Sequence, residues 1–64
     1  MKTEYDPEAN AIYVRFSDED VDHTEELRPG IILDFDARGH VVGIEMLDAK
    51  TILSEAALKS LAAA

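Results

Sequence analysis

Pro29-Gly30-Ile31-Ile32-Leu33-Asp34-Phe35-Asp36-Ala37-Arg38-Gly39-His40-Val41-Val42-Gly43-Ile44-Glu45-Met46-Leu47 decides the architecture of this chain. Two apolar runs rich in Ile, Leu, Val and Phe flank an Asp-Ala-Arg-Gly turn, and such runs bounded by turn residues read as strands of a hairpin. Two registers compete. A three-residue loop with a glycine bulge sets Asp36 opposite His40 and Asp34 against Val42. A four-residue loop sets Phe35 opposite His40, Leu33 against Val42 and Ile31 against Ile44. The second gathers Ile31, Leu33, Phe35, Val42, Ile44 and Met46 on one face, and a buried face dictates register, so it is the expected pairing. Gly39 suits the left-handed backbone that either loop requires.

Outward from the hairpin, Lys2 to Tyr5 is a short strand. Asp6-Pro7-Glu8-Ala9-Asn10 supplies turn chemistry, because Pro presets one dihedral and Asp and Asn tolerate turn conformations. Ala11 to Phe16 is the next strand, with Ile12, Val14 and Phe16 on one face and Tyr13 and Arg15 on the other. Ser17-Asp18-Glu19-Asp20 is an acidic connection. Val21 to Leu27 alternates poorly and reads as an edge strand whose acids discourage sheet-to-sheet pairing. From Ser54 the composition changes to helix formers behind a residue able to cap. Leu53, Ala57 and Leu61 form a narrow apolar stripe, and so short a helix persists only by docking. Its target is the face carrying Ile12, Val14, Phe16, Leu33 and Ile44. The expected fold is α+β: an antiparallel meander of four or five strands with one C-terminal helix packed on one face. Residues 1–64 form a single domain.

The chain has 64 residues, no cysteine, 14 acidic and 6 basic residues, and a formal net charge of -8. A core this small is marginal and usually gains support from a disulfide, a metal or another subunit. Without cysteines the first is absent, which fits a reducing compartment, and self-association as a homodimer or larger is the expected support. The acidic surface repels phosphate backbones, which are held by Lys and Arg, so direct nucleic-acid and anionic-membrane partners are disfavoured. The same field draws in a basic protein. No apolar run is long enough to span a bilayer, and the N-terminus lacks a signal-peptide core. The expectation is a soluble, cytoplasmic protein.

Tyr5-Asp6-Pro7-Glu8-Ala9-Asn10-Ala11-Ile12-Tyr13-Val14-Arg15-Phe16, Pro29-Gly30-Ile31-Ile32-Leu33-Asp34 and Gly43-Ile44-Glu45 together resemble the small bacterial family known as domain of unknown function 2283. The likeness runs from about Lys2 to Ala49, with the Tyr-Asp-Pro opening and Gly-Ile-Glu close as its most specific parts. That family has no established activity, so the resemblance carries little mechanism. Some of its members look like antitoxin partners of small ribonuclease-type toxins. The alanine-rich end lies outside the likeness.

Asp34, Asp36, Gly39 and Glu45 fall at the first, third, sixth and twelfth positions of a calcium EF-hand loop. Arg38 puts a cation where the fifth ligand belongs, and strand sequences replace the flanking helices, so a hairpin turn is the better reading. His23 and His40 have no spacing that makes them converge on zinc. The Asp18 to Glu26 acids read as a solvated connection or a docking patch before a metal loop. No serine has a histidine placed beside it, and a carboxylate pair needs a pocket that shifts one pKa. No catalytic residue, metal ligand or cofactor is therefore assigned.

The second sheet face is the candidate interaction surface, with Tyr13, Ile32, Val41 and Leu47 as its apolar members and Arg15, Asp34 and Glu45 among them. Contiguous apolar ground on a small domain marks interaction sites. Tyr13, Arg15, Ile32, Asp34, Val41 and Glu45 are thus the site residues. The leading function is a non-enzymatic protein-interaction module, antitoxin-like, partnered by a small basic protein. Two alternatives stand beside it: a small-molecule- or metal-binding homo-oligomer with a site between subunits, and a small enzyme with an intersubunit carboxylate site.

Overall fold

Apolar alternation and turn chemistry yield five strands and two short helices in a computed structural model that describes residues 1–64. They are β1 Lys2–Asp6, β2 Ala11–Arg15, β3 His23–Arg28, β4 Ile31–Phe35, β5 Val41–Leu47, α1 Ala49–Ile52 and α2 Glu55–Ala63. All neighbouring strands are antiparallel, in the order β1-β2-β5-β4-β3. The order departs from a simple meander at one step. After the β1–β2 hairpin the chain crosses the sheet end, lays β3 on the far edge and returns through β4 to β5. Burial explains this placing, for β5 carries the buried Val42, Gly43 and Met46 and takes the centre, whereas all six residues of β3 are exposed. The crossing segment is pinned where Phe16 N–H donates to Val42 O at 2.8 Å and Asp22 N–H to Phe35 O at 2.7 Å.

The hairpin register differs from the expected one. Leu33 pairs with Ile44 and Ile31 with Met46, not with Val42 and Ile44. Asp36 N–H donates to His40 O at 2.9 Å, so the tip is the three-residue loop. An irregularity between Asp34 and Phe35 then places Phe35 against Val41 and leaves Val42 as an extra residue. A bulge of this kind shifts pairing by one residue. It returns Ile31, Leu33, Ile44 and Met46 to a common face, so turn chemistry and burial are both satisfied where they seemed exclusive. Gly39 has φ 84°, the left-handed conformation the loop needs.

The shared face is the core. Ile12, Val14, Met46 and Ala49 are buried, with Tyr5, Ile31, Ile44, Leu53, Leu58 and Leu61 packed around them. In place of one C-terminal helix there are two, parted at Leu53, which is extended at φ -96°, ψ 147°. Ser54 Oγ accepts from Ala57 N–H at 3.1 Å and starts α2, a cap that contributes about 1 kcal/mol. The start of α1 is supplied from elsewhere. Asn10 accepts from Ala49 N–H with its carbonyl at 2.8 Å and from Lys50 N–H with its side chain at 3.1 Å. Its amide donates to Asp48 Oδ1 at 2.9 Å. Asp6 in turn shapes the β1–β2 loop by accepting from Glu8 and Ala9 N–H. Among the strands α2 packs chiefly against β1, so the helical cover is offset to that side. Of the expected docking residues Ile12, Val14 and Ile44 belong to the covered cluster, while Phe16 and Leu33 lie outside it and Phe16 is 47% exposed.

Candidate functional site

The face turned away from the helices is read directly from the register. Tyr13 pairs with Glu45 and Glu45 with Ile32, while Arg15 pairs with Gly43 and Gly43 with Asp34. Paired residues share a face, so Tyr13, Arg15, Ile32, Asp34 and Glu45 come together there, as the alternation of their strands implies. Val41 does not join them. Its pairing with Phe35, two residues from Leu33, puts it on the helix side of the sheet. The bulge is the reason, since one extra residue reverses the alternation that had assigned Val41 to the open face.

Gly43 makes the polar centre of this face. Without a side chain there, Tyr13 lies across β5 and its hydroxyl donates to Asp34 Oδ2 at 2.6 Å. A Cβ on Gly43 would stand 2.7 Å from Tyr13 Oη and 3.3 Å from Asp34 Oδ2. The hydrogen bond to Asp34 raises the Tyr13 pKa above the ordinary phenol value, so the phenol keeps its proton. Arg15 Nη1 donates to Tyr13 Oη at 3.4 Å, its Nε to Ser17 O at 2.5 Å, and its Nη2 to Glu19 O. The bond to Tyr13 raises the Arg15 pKa further. Each guanidinium nitrogen is thereby engaged within the chain. The Tyr13–Asp34 bond contributes about 1.5 kcal/mol, the low end for a bond to a charged group, because both residues are partly exposed. Gly43 is the member that pattern reading misses. The signal was present, since a glycine inside a strand marks a bulge or a close approach.

Tyr13 and Glu45 also line a hollow of about 220 Å³ with Glu4, Tyr5, Asp6, Ala11 and Ile12. Small-molecule sites run from roughly 300 Å³ upward. At the sheet end a cleft of about 360 Å³ lies between the crossing segment and the β4–β5 turn, lined by Glu19, Asp20, Asp36, Ala37 and Arg38. Asp36 is buried and accepts from Arg38 and His40 N–H, each at 2.9 Å. The His40 N–H is the main cause of a carboxyl held below the usual range. This carboxylate is a turn-former, and the EF-hand spacing belongs to a β-hairpin. No three of His, Cys, Asp or Glu are grouped to hold a metal ion. His23 stacks on Phe35 with ring centroids 5.0 Å apart and has Asp22 Oδ2 at 2.8 Å from its Nδ1.

The other exposed ground is the part of the helix-side face that α1 and α2 do not reach. Phe16, which follows Val14 by two residues, and Val41 are exposed on it, Leu33 and Phe35 are half-buried there with the His23 ring stacked on Phe35, and Leu27, 65% exposed, sits at the irregularity in β3. No helix is long and apolar enough to cross a membrane.

Residues 2–50 match the model of the family described as protein of unknown function (DUF2283), and the chain belongs to that family. No curated protein and no solved structure matches it.

Proposed function

We propose that this member of the DUF2283 family is a non-enzymatic protein-interaction module whose partner is a basic protein. The observation that carries the reading is the uncovered part of the helix-side face, where Phe16 and Val41 stand exposed in a 64-residue chain. Contiguous exposed apolar ground is uncommon on monomers and marks contact surfaces, and a small core gains support from whatever covers it. The net charge of -8 favours encounter with a basic surface. An antitoxin-like role, masking a small basic toxin in the cytoplasm, agrees with the charge and with the likeness of some family members to antitoxins. A ligand or catalytic site around Tyr13, Arg15, Asp34 and Glu45 ranks below it, because the Arg15 nitrogens are spent inside the chain.

The test uses purified components. A basic protein that co-elutes with the chain from its native host is purified separately and recombined with it. Light scattering then follows both the mixture and the chain alone at micromolar concentration. The expected result is a defined complex whose association weakens as salt rises. A chain that re-forms no complex with any purified basic candidate overturns the reading, and a homodimer formed without a partner reassigns the surface to a second copy.

A further inference from the structure

The bare part of the helix-side face is bounded by acid on two sides. The crossing segment closes the sheet end through the Phe16–Val42 and Asp22–Phe35 backbone bonds, and β3 closes the edge. Between Arg15 and Arg28 the sequence holds Asp18, Glu19, Asp20, Asp22, Glu25 and Glu26, with no Lys or Arg. Glu25 pairs with Leu33 and so stands on the apolar side itself. Arg15 belongs to the opposite face, its Nε and Nη2 given to the carbonyls of Ser17 and Glu19. The cations that approach are Arg38, in the cleft with Glu19 and Asp20, and Arg28, opposite Ile31 at the far end of β3.

Resting on the interaction reading above, we infer that this surface docks a cationic amphipathic segment of the partner protein. Its apolar side chains lie over Phe16, Leu33 and Val41, beside the stacked His23 and Phe35 rings, and its Lys or Arg residues meet the rim formed by Ser17–Asp22 and Glu25. Charge decides between occupants. A second copy of this chain brings its own five rim carboxylates, Asp18, Glu19, Asp20, Asp22 and Glu25, against these five, whereas a cationic segment neutralises them. The rim then governs the rate of encounter and the apolar ground the lifetime of the complex.

Isotope-labelled full-length chain is titrated with three synthetic peptides: an amphipathic Leu/Lys helix, its Leu/Glu counterpart, and a Ser/Lys peptide with no apolar face. The Leu/Lys peptide is expected to shift the amides of Phe16, Leu33, Phe35 and Val41, and to bind at least about tenfold tighter than either control. Replacing two exposed side chains, Phe16→Ser with Val41→Ser, weakens it about tenfold through faster dissociation. Asp18→Asn, Glu19→Gln and Asp20→Asn together slow association. Circular dichroism checks that each variant is folded. Shifts confined to Tyr13, Ile32 and Leu47 overturn this assignment and leave the interaction reading standing. Equal binding of the Leu/Glu peptide, or no shift with any peptide at millimolar concentration, also overturns it. The broader reading falls only if no complex re-forms from purified proteins.

Discussion

At Gly43 a side chain is excluded by space, and at Gly39 by a dihedral angle. A Cβ at position 43 meets Tyr13 Oη at 2.7 Å, while one at position 39 meets nothing within 4 Å but must accept φ 84°. Gly43→Ala is expected to cost about 1–3 kcal/mol, the scale of overpacking, and to be relieved by Tyr13→Ala in the same chain. Gly39→Ala costs about 1 kcal/mol and is indifferent to Tyr13. Denaturant melts of the single and double variants check both, and additive effects at Gly43 and Tyr13 refute the packing account. Asp36 makes a different prediction. Its folded pKa lies below the unfolded value of about 3.9, chiefly through the His40 N–H. Its contribution is therefore complete above that value and lost as pH falls through the lowered one. Melts taken down to about pH 2 should show the parent losing more stability than Asp36→Asn, and parallel curves would refute this. Gly39 was readable because its neighbours spell a turn. Gly43 carried only the signal of a glycine inside a strand, and what approaches it, Tyr13 and Asp34 from the two strands beside it, was not readable.

Ser54 illustrates what an element needs at its start. α2 has only nine residues, so the loss of one cap matters more than in a long helix. Ser54→Ala should cost about 1 kcal/mol and lower the helical circular-dichroism signal before the sheet melts. A melt unchanged by this substitution would remove the cap from the account. The start of α2 was legible, since a serine ahead of strong helix formers is a local signal. The four-residue α1 was not, because its first N–H groups are capped by Asn10 from the β1–β2 turn. The β5 bulge escaped notice for a related reason. Turn residues and buried faces each argued for one register, and only the paired strands reveal that both hold.

For the molecule as a whole, apolar runs and turn residues located the strands either side of β3, while β3 itself alternates poorly and was marked as an edge by its acids. How far the helices reach could not be read, because coverage depends on where α2 settles, and it settles over β1. That offset leaves Phe16 exposed on the helix side, the β5 bulge adds Val41 to it, and Leu47 stays exposed on the face carrying Tyr13. The strand order has its own consequence for how the chain reaches this state. The β1–β2 hairpin and the β3–β4–β5 meander each close through neighbours in sequence, but they meet only where β2 joins β5, with Ala11 against Leu47. That ladder carries the loop-closure entropy of the intervening chain, and it is also where Ile12 comes against Met46. Neither half can bury those side chains alone, so the contact with the longest loop to close is also the one that completes the core. The two halves are therefore expected to fold as a single cooperative unit, with their seam as its last step.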